Sequence, residues 1–149
     1  MTIFEQINED IKSAMKSKEA EKLEALRAVK SQLLLLKTSE GGNGEVSDEQ
    51  AIQAIQKLVK QRKESADIYK TQGRDDLYQI EMGEMAVIEP YLPQQMSRFE
   101  IEGFIQELIG RIGATGMADM GRVMGMANKE LAGQADGKTV SEVVKQLLA

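Results

Sequence analysis

Apolar residues recur at helical spacing from one end of the chain to the other. Ile3, Ile7, Ile11, Ala14 and Met15 share one side of a predicted helix over 3–16. Leu23, Leu26, Val29, Leu33 and Leu36 form the stripe of a second over 18–38. Leu34 and Leu35 widen that stripe, which predicts a central position for this helix. A third is expected over 48–72, ended by Gly73 in a left-handed cap, and a fourth over 75–88. Three more follow over 98–112, 118–131 and 140–148. Met117, Met120, Met124, Ala127 and Leu131 supply an adaptable core face for the sixth.

Polar positions mark where these helices start. Thr2-x-x-Glu5, Ser47-x-x-Gln50, Ser97-x-x-Glu100 and Thr139-x-x-Glu142 all fit the capping box. There the hydroxyl accepts a first-turn amide, and the acidic or amide side chain reaches back to the cap's own N–H. The run from Ser39 to Glu45 carries three glycines and reads as a loop. Pro90 and Pro93 interrupt the helical pattern around Tyr91 and Leu92. No strand-like alternation of useful length occurs. The expected fold is all-α, with a helical domain of about four helices over 1–92 and a small three-helix domain over 93–149.

Composition narrows the chemistry. The 149 residues are 42% hydrophobic and 29% charged, enough for a packed core. Cysteine and histidine are both absent, which excludes Ser-His-Asp and Cys-His catalysis and nearly all structural zinc sites. The 24 acidic residues include no pair framed by the apolar setting and partner base that acid–base work needs. No cofactor or metal is implied. The sequence from Met1 has no basic region followed by an apolar stretch, and Leu33 to Leu36 is far too short to span a bilayer. The expectation is a soluble cytoplasmic protein that engages neither membrane nor DNA. A net charge of −5 means that any RNA contact must come from local patches.

Two such patches stand out. Lys60, Lys63, Lys70 and Arg74 share one sector of the third helix, diluted by Asp67. Arg122 and Lys129 lie two turns apart on the sixth, opposite its core face and beside Gly125 and Met126, and Lys138 follows in the next loop. Either set reads as phosphate-gripping or as ordinary solvated charge. Arg62 differs, because it falls in the apolar sector of Ala51, Ile55, Leu58, Val59, Ala66 and Tyr69. A structural ion pair with Glu81 or Glu84 is expected there. The loop from Gly133 to Thr139 only mimics a phosphate-binding loop. Ala132 stands where glycine is needed, no apolar strand precedes it, and only ten residues follow.

Taken in order, several segments resemble the YqeY family, also called GatB/YqeY-like proteins. They are Asp10-Ile-Lys-Ser-Ala-Met-Lys-Ser-Lys18, Leu26-Arg-Ala-Val-Lys30, Val59-Lys-Gln-Arg-Lys-Glu-Ser65, Gly73-Arg-Asp-Asp-Leu77 and Tyr91-Leu-Pro-Gln-Gln-Met-Ser97. The tail from Gly113 to Ala149, with its Ala135-Asp-Gly-Lys-Thr139 loop, completes the set. The resemblance implies a family-specific helical domain, then a domain similar to the tail of the B subunit of tRNA-dependent amidotransferase. That enzyme amidates misacylated tRNA, and its tail leans on the tRNA. Its kinase-like cradle and its serine-lysine glutaminase have no counterpart here. Family members often carry a basic residue where this chain has Gln134, so a phosphate contact at that point is not expected.

The leading expectation is therefore a non-catalytic tRNA-binding or tRNA-enzyme accessory protein. Arg122, Lys129, Lys138 and Lys145 would grip the RNA, and Lys60, Lys63 and Arg74 would extend the surface or lie beside a protein partner. One alternative is a component with carbon–nitrogen ligase activity, glutamine being the amide donor, that acts only in complex with amidotransferase subunits. Another is a protein-interaction module without RNA affinity.

Overall fold

The computed structural model describes residues 1–38 and 44–149, so the loop expected from Ser39 falls mainly outside the described residues. These form seven α-helices and no strand. They are α1 (Ile3–Lys16), α2 (Ala20–Thr38), α3 (Asp48–Thr71), α4 (Asp75–Ile88), α5 (Arg98–Ile112), α6 (Met120–Glu130) and α7 (Gly137–Leu148). Single 3-10 turns occur at Glu89–Tyr91 and Met117–Asp119. The chain divides into two compact units, Met1–Leu92 and Pro93–Ala149.

Three of the four capping boxes form. The hydroxyls of Thr2, Ser47 and Ser97 accept the amides of Glu5, Gln50 and Glu100 at 3.1, 3.2 and 3.2 Å. The reciprocal bonds from the cap amides are present in each case. The fourth does not form, which corrects the assignment of Thr139 as a cap and of Val140 as the start of α7. The extended residue is Asp136, one turn earlier, and Thr139 lies inside the helix with its hydroxyl donating to the Asp136 carboxylate at 3.2 Å. Asp136 takes the cap position through its extended backbone, without a side-chain cap hydrogen bond, and the helix therefore starts at Gly137.

Helix ends follow a second rule. After α1, α3 and α5 the chain takes a left-handed residue, at Lys18 (φ 57°), Gly73 (φ 72°) and Gly113 (φ 71°). In each case the next amide reaches back five residues, Glu19 to Ala14, Arg74 to Tyr69 and Ala114 to Ile109. This is the Schellman closure, and Gly73 and Gly113 adopt it without a Cβ penalty. It explains why α2 begins at Ala20 and not at Lys18. Likewise α6 begins at Met120, because Met117–Asp119 is held as a 3-10 turn by the Asp119 amide on the Gly116 carbonyl at 2.9 Å.

The N-terminal unit buries Ile7, Leu26, Val29, Leu33, Ile55 and Ile88 completely. α2 packs on α1, α3 and α4, and α3 lies along α4. The wide apolar face expected of α2 is corrected, because Leu34 and Leu35 are 40% and 61% exposed. They stand roughly 100° and 200° around the helix from Leu33, outside the sector its neighbours cover. The C-terminal unit buries Ile101, Ile105 and Leu108 of α5 against Val123 and Ala127 of α6 and Val140, Val143 and Val144 of α7. The expected core face of α6 forms in part, with Ala127 and Leu131 buried and Met120 and Met124 packed against the core. Val123 takes the centre, Met120 and Met124 are only partly buried, and Met117 is exposed.

Arg62 makes the ion pair its position demands. Its Nε lies 2.8 Å from the Glu84 carboxylate of α4, and another guanidinium nitrogen donates to the Leu58 carbonyl at 3.3 Å. Partial burial raises the pKa of Glu81 above the ordinary carboxylate range, Glu84 adds to the rise and Arg62 opposes it.

Two outcomes follow for stability. Leu26→Ala should lower the denaturation free energy of the N-terminal unit by about 2–5 kcal/mol in a urea titration, because the site is fully enclosed. Glu81 carries a folded-state pKa above its unfolded one, so its favourable contribution is present at low pH and lost as pH rises through the raised value. Glu81→Gln should therefore match the parent chain in acid and become the more stable of the two as pH rises towards neutral, measured by thermal melts across a pH series.

Candidate nucleic-acid interface

The C-terminal unit holds six cationic and seven acidic side chains, so its surface is close to neutral. The three arginines are neutralised locally. Arg98 on α5 meets Glu142 of α7 at 3.0 Å and Glu102 at 3.4 Å, and it donates to Gln146 at 3.3 Å. Arg111 meets Glu130 of α6 at 3.1 Å. Arg122 meets Asp119 at 3.4 Å and donates to the Ile112 carbonyl at 3.3 Å.

Lys129, Lys138 and Lys145 are different. All three are exposed, and none has a partner among the described residues. Lys138 and Lys145 are seven residues apart on α7, hence on one face and roughly 10 Å apart along its axis. That face is opposite Val140, Val143, Val144 and Leu148, which enter the core. Arg122 and Lys129 repeat the spacing on α6, opposite buried Val123 and Ala127. The helix frame thus aims both pairs away from the core, but only one member of the α6 pair is free.

Arg122 is held by the turn before it. Asp119 accepts the Thr115 amide at 2.9 Å, and this bond, with Arg122 nearby, lowers the Asp119 pKa. Sequence periodicity placed Arg122 on the side away from the core but did not show this clasp. The i, i+3 spacing of Asp119 and Arg122 was the available signal.

On α3 the expected row is thinner than its spacing suggests. Lys63 is exposed without a partner among the described residues. Lys60 is exposed but not free. Lys70 sits over the Tyr78 ring at 5.8 Å, and Arg74 donates twice to the Asp76 carboxylate at 3.3 Å. That pair lowers the Asp76 pKa, chiefly through its hydrogen bond.

A second polar group has no local signature in the sequence. Tyr91, in the 3-10 turn after α4, donates its hydroxyl to one oxygen of Asp10 on α1, and the Gln6 amide donates to the other oxygen at 2.9 Å. Burial, then the Asp10 bond, raises the Tyr91 pKa and keeps the phenol protonated. The three residues line an open cleft of about 480 Å³ with Lys22, Ala86, Val87 and Pro90. Asp10 and Tyr91 are 81 positions apart, so no spacing rule joins them.

Among the described residues, no group of three or more acidic side chains is placed to hold a metal ion, and no helix is long and apolar enough to cross a membrane.

Asp119 supplies a test of the clasp. Its folded pKa is depressed, so its stabilising contribution is present at neutral pH and lost as pH falls through the lowered value. Asp119→Ala should melt below the parent chain at neutral pH, with the gap closing in acid.

Comparison with known proteins adds a family and a setting. The family model described as Yqey-like protein matches residues 4–148. Curated relatives include altered inheritance of mitochondria protein 41, mitochondrial, of Meyerozyma guilliermondii, 32% identical over 95% of this chain and 74% of the relative. The protein of the same name from Pyrenophora tritici-repentis is 23% identical over 98% of this chain and 81% of its own length. That of Saccharomyces cerevisiae is 29% identical over 88% and 69%. These relatives are mitochondrial by name, which overturns the cytoplasmic expectation.

Proposed function

This chain belongs to the YqeY-like protein family, and we propose that it is a non-catalytic accessory protein whose C-terminal unit binds tRNA through backbone phosphates. One observation carries the reading: every arginine of that unit is neutralised by a neighbour, while Lys129, Lys138 and Lys145 are left exposed and unpaired among the described residues. An unpaired surface ammonium is free to replace a counterion on a phosphate, whereas a paired one must first give up its partner. The resemblance to an amidotransferase tail that leans on tRNA supports the same unit. Arg122 then has a secondary role, since its clasp fixes the turn before α6. Amide transfer would belong to partner subunits.

A protein partner is the second reading. It is favoured by the net charge of −5 and by Ile68 and Ile80, each 56% exposed on the N-terminal unit.

The test is fluorescence anisotropy of labelled tRNA across a salt series, with mitochondrial tRNA as the first probe because the relatives are mitochondrial by name. Binding should weaken steeply with salt. Replacing Lys129, Lys138 and Lys145 with glutamine should weaken it and flatten the logarithmic salt slope by about 2–3, at roughly 0.9 for each phosphate no longer neutralised. Arg122→Gln should change the slope less than any single lysine variant. Absence of binding at low salt overturns the RNA reading and leaves the protein partner.

A further inference from the structure

The cleft between α1, α2 and the end of α4 has a chemistry that the RNA reading does not use. Its polar wall is fully determined by its hydrogen bonds. Asp10 accepts at both oxygens, from the Gln6 amide nitrogen and from the Tyr91 hydroxyl. The carboxylate can only accept, so the Gln6 side chain must offer its NH2 and the phenol its proton. Each member keeps acceptor capacity after these bonds form. Asp10 retains about two lone-pair positions, the Gln6 carbonyl oxygen has no partner among the described residues, and the Tyr91 oxygen still has its lone pairs. Three acceptors, one of them anionic, therefore belong to mutually bonded side chains of residues that line one cleft. Of the cluster's donors, only the second N–H of the Gln6 amide is left, so acceptors outnumber donors there.

Lys22 is the one cationic side chain among the lining residues, and it is exposed without a partner among the described residues. Ala86, Val87 and Pro90 supply an apolar wall. The volume of about 480 Å³ lies in the range of small-molecule sites.

We propose that this cleft binds a free α-amino acid with an aliphatic side chain. The primary ammonium has three N–H donors for the acceptors of Asp10, Gln6 and Tyr91. The carboxylate meets the Lys22 ammonium, and the side chain lies on Val87 and Pro90. The raised Tyr91 pKa keeps the phenol neutral, so the acceptor set bears a single negative charge that the ligand ammonium matches.

The experiment is an NMR titration of the full chain with three probes at millimolar concentration. These are L-leucine, 3-methylbutylamine (leucine without its carboxylate) and 4-methylpentanoate (leucine without its amine). L-leucine should shift amide resonances around Gln6, Asp10, Lys22 and Tyr91. The amine should bind about tenfold more weakly, and the acid should not shift those resonances. Lys22→Gln, an exposed substitution that leaves the Asp10 cluster intact, should lower leucine affinity to that of the amine. Asp10→Asn should abolish amine binding, with its folded state checked by the dispersion of the same spectra. The inference is overturned if leucine leaves these resonances unmoved, if the acid binds as well as leucine, or if Lys22→Gln leaves leucine affinity unchanged or raised. None of these outcomes depends on whether the chain binds tRNA.

Discussion

Every fully buried side chain among the described residues is apolar, and the rest of the structure answers to that constraint. Moving an unpaired charge out of water costs several kcal/mol, more than a small helical core recovers elsewhere. With 29% of the sequence charged, the helices must turn their charged sectors outward, and the charges must then settle among themselves on the surface. Arg62 marks the limit. It enters the apolar sector of α3 only with Glu84 at 2.8 Å and a carbonyl to receive a second guanidinium proton.

Function is then a question of which surface charges remain unsettled. Arginine and lysine divide sharply in the C-terminal unit. The planar guanidinium, with donors in a fixed fork, finds carboxylates on neighbouring helices, as Arg98 does on α7 and Arg111 on α6. The lysines at 129, 138 and 145 are left over, and the helix frame aims each of them away from the core. Such a surface acts at short range. An acidic chain gives little long-range attraction for a polyanion, so the proposed binding would depend on where these few ammonium groups stand.

The all-helical fold was legible because its signals are local. Apolar periodicity located the helices, and the hydroxyls of Thr2, Ser47 and Ser97 located three of their starts. Gly73 was legible as a left-handed end, whereas Lys18 in the same conformation was not, because lysine gives no hint of it. Thr139 misled because the backbone is already helical from Gly137, two residues before it, with Asp136 extended at the cap position. Leu34 and Leu35 misled because hydrophobicity does not say which sector a neighbour covers. At the site, the partner of Arg62 could be anticipated from its place among apolar residues. The clasp on Arg122 depends on a turn, and the bond from Tyr91 to Asp10 spans most of a unit, and neither has a period to read.

The central claim is that three unpaired lysines, and not the arginines beside them, form the RNA contact. Lysine acetylation footprinting with and without tRNA, read residue by residue by mass spectrometry, tests it most directly. The account predicts protection of Lys129, Lys138 and Lys145, with the exposed lysines of α1, Lys12 and Lys16, modified equally in both conditions. Equal modification of all lysines with tRNA bound, or protection confined to the N-terminal unit, would contradict it.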